Sequence, residues 1–120
     1  MHRLIYLLLF AACTQTPSGA VCPPDSASQP TYENFGREFM ETYCTGCHSA
    51  AAPNRYGAPG DQNYDTEADV RLHATDIDAH AAAGPSSTNT AMPELAGPVR
   101  TAPTQAERER LGQFLACMQQ

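Results

Sequence analysis

The stretch that most constrains this chain is Cys44-Thr45-Gly46-Cys47-His48, two thiols three positions apart with a histidine directly behind them. Side chains at i and i+3 lie on one side of a helical turn. Both sulfurs can then reach the two vinyl groups along one edge of a porphyrin, and the adjacent imidazole is held against the iron. The spacing is that of covalent c-type haem attachment. Thioether bonds keep the cofactor in place even where an axial bond is weak, which suits a protein that carries an electron without losing its haem.

Two other chemistries use the same residue types. A thioredoxin-like dithiol expects the motif between a strand and a helix in a reducing compartment, and a zinc site needs a second pair of ligands at matching spacing. The sequence offers neither context, because Cys13, Cys22 and Cys117 are single and far apart.

The beginning of the chain reads as an export signal. His2-Arg3 supply a positive start, and Leu4 to Ala12 form an apolar run too short to span a bilayer as a stable helix. The run closes on Phe10-Ala11-Ala12-Cys13, which resembles the lipobox of bacterial lipoproteins. That resemblance implies residues 1–12 as a signal peptide, cleavage before Cys13, and acylation of Cys13 as a membrane anchor. Phe10 stands where the lipobox more often has Leu, so cleavage by an ordinary signal peptidase is the alternative. Thr14-Gln15 places no aspartate after the cysteine, which in the lipoprotein pattern favours the outer membrane over the inner, on the periplasmic side of a bacterial envelope.

The charge balance limits the partners. The full chain has 13 acidic against 7 basic side chains, and removing residues 1–12 takes only Arg3, leaving 13 against 6, or −7. There is no lysine. A basic nucleic-acid footprint is absent, as is any ring of lysines around a haem edge, so charge steering favours a basic partner surface. From Thr14 to Gln29 the chain is rich in Pro, Ser, Thr, Gln and Ala with one charge, Asp25, a composition that suits a flexible tether over 13–30. What remains, 31–120, is roughly 90 residues, one small domain with a thin core.

Three segments read as helices. The first begins near Thr31 as N-cap and carries Phe35, Phe39 or Met40, and Tyr43 into the Cys44 motif. The second starts at Thr66, with Asp69 completing an approximate capping box, and runs to about Ala83 with Val70, Ala74, Ile77 and Ala81 as its apolar stripe. The third starts at Thr104 with Glu107 as capping partner and carries Leu111, Phe114, Leu115 and Met118. Between them lie two long loops, Pro53 to Gln62 and Gly84 to Pro103, without convincing strand alternation. Loops of that length need a reason, and wrapping a porphyrin supplies one.

Together these features resemble a small mono-haem cytochrome c, over roughly Thr31 to Cys117. Gly36 stands two helical turns before Cys44, where that family has a small residue that lets the first helix cross the last, and Leu111-x-x-Phe114-Leu115 resembles the family's last-helix pattern. The resemblance implies an all-α, cytochrome c-like domain of three main helices and long loops around one covalent haem c. It implies His48 as the proximal iron ligand and Met92, followed by Pro93 on the loop before the last helix, as the distal one. Thioether sulfur favours the ferrous state and raises the potential relative to two imidazoles. Met40 and Met118 fall on helical apolar faces, while His73 and His80, on one side of the middle helix, are the competing ligands. The family's proline after the motif, whose carbonyl orients the proximal imidazole, is either Pro53 or Pro59, and Arg55, Tyr56 and Tyr64 can hydrogen-bond a propionate. Cys22 and Cys117 are expected to pair, since the fold brings the start of the first helix near the end of the last and the compartment is oxidising.

The expected function is that of a monomeric, envelope-tethered electron carrier and not an enzyme, exchanging electrons with redox protein partners by outer-sphere transfer. Two alternatives remain: a haem enzyme or gas-binding sensor with an open sixth site, and a haem-bearing accessory subunit of a larger redox complex.

Overall fold

Three threonines set where the helices start. Thr31, Thr66 and Thr104 all stand in extended backbone, and each hydroxyl accepts from the N–H three residues on. The side chains found there, Asn34, Asp69 and Glu107, accept from the threonine's own N–H. These reciprocal capping boxes satisfy donors that a helix start otherwise leaves orphaned.

The protein is seen in a computed structural model that describes residues 15–120, so the expected signal 1–12 and the acylation site Cys13 lie outside the described residues. A short 3-10 turn covers Ser26–Ser28, followed by a wide turn Tyr32–Gly36 closed by the Gly36 N–H on the Thr31 carbonyl at 3.0 Å. Helix α1 is Arg37–Tyr43, α2 Glu67–Leu72, α3 Ala74–Ala81 and α4 Gln105–Met118. Among the described residues the only β-type pairing is one antiparallel bridge between Ala83 and Thr88, and the architecture is all-α.

Two expected helices are thus each divided. The first opens as the wide turn before α1, and the second breaks at His73 (φ −105°, ψ 13°) into α2 and α3. The apolar stripe runs through the break intact, because Val70, Ala74, Ile77 and Ala81 are all buried, while Leu72 beside the break is 77% exposed.

The core forms where α4 meets the other helices. Leu111, Phe114 and Leu115 of α4 are completely covered and share one cluster with Phe39 and Met40 of α1 and with the α2–α3 stripe. Fully burying a side chain of this size stabilises by roughly 1.5–3 kcal/mol. The closest approach is at Gly36, where a Cβ would stand 2.4 Å from Cζ of Phe114. Only glycine admits the ring there, and Phe35 completes the contact edge-on to Phe114 at 6.0 Å.

The stretch 13–30, expected as a flexible tether, is from Thr16 onward part of the folded body. Ser18 is fully buried, donating its N–H at 2.6 Å and its hydroxyl at 2.8 Å to the carboxylate of Asp78, itself fully buried in α3. Its carbonyl accepts from the N–H groups of Ser86 and Ser87. Ala20 and Pro30 are buried as well. Composition signals a tether because few apolar side chains are present, yet here backbone and hydroxyl groups meeting one buried carboxylate hold the segment. Cys22 is joined to Cys117 of α4 by a disulfide spanning 95 residues of sequence, with Cα atoms 4.6 Å apart.

Glu107 links α4 to α1. It accepts from the Thr104 N–H at 2.7 Å and from the Tyr43 hydroxyl at 3.1 Å. The Thr104 bond first, then Tyr43, hold its carboxyl below the usual carboxylate range. A depressed folded pKa contributes stability above the unfolded value, near 4.3, that is lost as pH falls through the folded value. Glu107→Gln is therefore expected to flatten the acid limb of the stability profile. Urea melts of both proteins from about pH 6 to pH 3 check this, and parallel profiles would contradict it.

Candidate cofactor site

Cys44 ends α1, with its N–H bonded to the Met40 carbonyl, and the chain continues in tight turns: the Cys47 and His48 N–H groups both return to the Cys44 carbonyl, at 3.1 and 2.9 Å. The helical spacing predicted for the motif is thus kept past the end of the helix. Cys44 and Cys47 are free, half-buried thiols. Burial, aided by the charge of Cys47, pushes the Cys44 thiol up to about 12. A thiol so strongly held in its neutral form is itself a poor exchange nucleophile.

His48 is oriented from three directions. Its Nδ1 lies 2.9 Å from the Gln62 carbonyl, its own carbonyl accepts from the Tyr64 N–H, and its ring stacks on the Tyr64 ring at 4.6 Å. A carbonyl can only accept, so Nδ1 carries the proton and Nε2 keeps its lone pair. Burial holds the imidazole below its usual pKa against the opposing Gln62 bond, and the Arg55 charge lowers it further. The neutral ring therefore presents one ligating nitrogen at neutral pH. The supporting carbonyl belongs to Gln62, not to Pro53 or Pro59. The Pro59 carbonyl is taken by Arg55 instead.

Arg55 has a different role from the expected one. Its Nε donates to Ala58 O, Nη1 to Ser49 O and Asn63 Oδ1, and Nη2 to Pro59 O and Gln62 O. A guanidinium has five N–H donors, and each has an acceptor within the loop, so none is free for a propionate.

Met92 comes from the other long loop. Its N–H donates to the His80 carbonyl at 2.8 Å, and its side chain packs half-buried against the core. The loop is tied to α4 by Arg108, whose buried Nη1 lies 2.8 Å from the Ala81 carbonyl, 2.9 Å from that of Asn89 and 2.8 Å from that of Met92. Desolvation lowers the pKa of Arg108. Pro98, farther along the same loop, sits against the motif itself: a Cβ on Gly46 would be 2.4 Å from its Cγ. Arg55, Gln62 and Arg108 carry no sequence signal for these roles, because the acceptors, Asn63 Oδ1 apart, are backbone carbonyls that any residue supplies.

One cavity of about 350 Å³ gathers these groups. Cys44, Cys47, His48 and Met92 all line it, together with apolar walls from Ile77, Ala81, Ala96 and Val99 and with Tyr56, Tyr64 and His80. Met40 and Met118 are buried in the core, and His73 packs edge-on to Tyr64 at 5.7 Å without lining the cavity. A mostly apolar cavity that presents two free thiols, an imidazole with its Nε2 lone pair and a thioether suits an apolar group with a central metal. The residues fit a haem by donor type: Cys44 and Cys47 would hold its edge, and His48 and Met92 would offer nitrogen and sulfur to its iron.

Arg108→Leu removes the donor on which three carbonyls converge. We expect a loss on the order of 3 kcal/mol from the buried acceptors left unpaired. Proteolytic cleavage should move to residues 85–98, whereas Arg110→Leu, whose guanidinium binds the Ser28 carbonyl instead, should leave that loop as protected as in the parent. Equal protection of that loop in both variants would show that Arg108 does not hold it.

No protein-family model, curated protein or solved structure matches this chain. The cavity's own side chains are therefore what its function is read from.

Proposed function

We propose that the protein is a single-haem c-type cytochrome, an electron carrier tethered in the bacterial cell envelope. Its all-α body is then a cytochrome c-like domain, with three helical regions and two long loops around the cofactor. The observation that carries this reading is the cavity shared by Cys44, Cys47, His48 and Met92, which come from two separate stretches of chain. Bound there, the haem supplies a one-electron couple at its iron. The protein's part is to hold the porphyrin edge through Cys44 and Cys47, to fix the imidazole of His48 through Gln62 and to deliver the Met92 thioether from a loop clamped by Arg108. Unlike an open sixth site, a Met/His pair leaves no iron position for a substrate or gas, so transfer is outer-sphere and the protein is not an enzyme.

The Cys22–Cys117 disulfide supports an oxidising compartment, in keeping with export. With 13 acidic side chains and no lysine, the carrier meets its redox protein donor and acceptor through basic surfaces on their side. It acts as a monomer, and its acylated Cys13 holds it to the membrane, the outer one in preference to the inner.

A reduced-minus-oxidised visible spectrum of the purified protein tests the haem directly. We expect a c-type spectrum whose haem survives acid-acetone extraction in the parent and is extracted from the Cys44→Ala/Cys47→Ala double variant. Haem still retained by that variant would exclude these attachment points. Met92→Ala should keep its haem, lose the weak sulfur-to-iron band of the ferric spectrum, bind carbon monoxide and shift to lower potential. Were the band to persist, Met92 would not be the ligand; carbon monoxide excluded without a sulfur band would point to His80, which lines the same cavity.

The anchor has a separate test. Cys13→Ser cannot accept a lipid, so it is expected to move from the membrane fraction to the soluble periplasm. A parent protein already soluble, with a mature N-terminus other than Cys13, would remove the anchor and leave the haem reading intact.

A further inference from the structure

The five-donor saturation of Arg55 is more than loop packing, because two of its acceptors bracket His48. Nη1 holds the carbonyl of Ser49, the residue directly after His48, at 2.6 Å. Nη2 reaches the Gln62 carbonyl at 3.2 Å, the same oxygen to which His48 Nδ1 donates at 2.9 Å. The remaining donors, on Ala58 O, Pro59 O and Asn63 Oδ1, fold the intervening loop around the guanidinium. Arg55 itself borders the cavity.

We propose that Arg55 is the positioning residue of the proximal side, setting both the place and the acceptor strength of the Gln62 carbonyl that orients His48. The inference rests on the haem reading of the cavity. A carbonyl already engaged by a cationic donor has less lone-pair density to offer the Nδ1–H of His48. The imidazole consequently keeps less anionic character, donates less strongly through Nε2 and favours the ferrous iron, raising the potential. The guanidinium charge beside the site acts in the same direction. Lysine cannot substitute, since one ammonium has three donors on a single nitrogen and cannot span acceptors arrayed around a planar fork.

The experiment uses the haem-loaded parent with Arg55→Gln, Arg55→Lys and Asn63→Ala. Three quantities are read: covalent haem content, the midpoint potential, and the proton resonance of His48 Nδ1–H. Arg55→Gln is expected to keep its covalent haem and to shift the redox equilibrium about threefold or more toward the ferric form, about 28 mV on the one-electron scale of 59 mV per tenfold. Its Nδ1–H resonance should move downfield, because the Gln62 carbonyl, freed of the guanidinium, accepts more strongly from His48. Arg55→Lys should resemble Arg55→Gln in that resonance despite retaining the charge.

An Arg55→Gln protein with the parent's potential and resonance would overturn the proposal, and so would full restoration of both by Arg55→Lys. If Arg55→Gln does not accumulate, Asn63→Ala decides. It removes one Nη1 acceptor and should produce a smaller shift of the same sign, with no shift overturning the proposal. A parent without covalent haem would instead overturn the haem reading. The Nδ1–H resonance of the haem-free chain then still judges Arg55, and its persistence at the parent position in Arg55→Gln would reject the positioning role.

Discussion

A buried cation with no carboxylate in ion-pair contact among the described residues holds the two halves of the cavity wall together. Arg108 projects from the start of α4 into the interior and spends its charge on the carbonyls of Ala81, Asn89 and Met92. Ala81 ends α3, and Asn89 and Met92 belong to the loop that follows, so one side chain fixes the distance between three successive parts of the chain and the last helix. Asn89 in turn donates from its amide to the Asp78 carbonyl at 2.9 Å, extending the same network into α3. Charge-assisted bonds to carbonyls are about twice as strong as neutral ones, which suits a site where desolvation of the guanidinium must be offset.

Arg55 repeats the device on the other long loop, and the repetition has a common cause. Without strands, an extended loop has no ladder to absorb its carbonyls, yet buried carbonyls cannot be left without donors. A guanidinium supplies five donors in a fixed plane and can organise a loop that regular structure does not reach. Around these clamps the domain stays thin. The disulfide from Cys22 to Cys117 closes a loop of 95 residues, which in the chain-entropy picture contributes on the order of 4 kcal/mol. Ser18 bound to Asp78 carries the same N-terminal segment across to α3. The segment works as a strap joining α3 to α4, and not as a free tether.

Local signals were legible in the sequence and acceptors on the backbone were not. The capping threonines Thr31, Thr66 and Thr104 are readable because a cap depends on residues three apart. The stripe of Val70, Ala74, Ile77 and Ala81 is readable because burial follows the helical period. The Gly36–Phe114 contact was readable only through the family resemblance, which puts a small residue and an aromatic where the first and last helices cross. The break at His73 leaves that period undisturbed, so nothing in the pattern announces it. The docking of Ser18 on Asp78 was hidden for a different reason: a Ser-, Pro- and Ala-rich stretch carries no apolar signature, and a lone aspartate on a helix does not announce that it is buried. The arginine contacts that bind the two loops, Arg55 on the first and Arg108 on the second, could not be read at all, because their acceptors are mostly backbone carbonyls.

On the haem reading proposed above, these contacts bear on how a weak distal ligand would be kept. A thioether bond to iron adds little energy of its own, so a methionine on a freely moving loop would give up much of it to the entropy of ordering that loop on each ligation. Here contacts within the chain already hold the loop: the Met92 N–H is bound to the His80 carbonyl, the Met92 carbonyl to Arg108, and Pro98 of the same loop lies against Gly46 inside the thiol motif. The His48 imidazole is fixed just as separately, by Gln62, Tyr64 and the Arg55 loop. In the proposed carrier, two ligands preset by two unrelated clamps would keep their geometry through a change of charge between them, and electron transfer is fastest when ligands do not have to move.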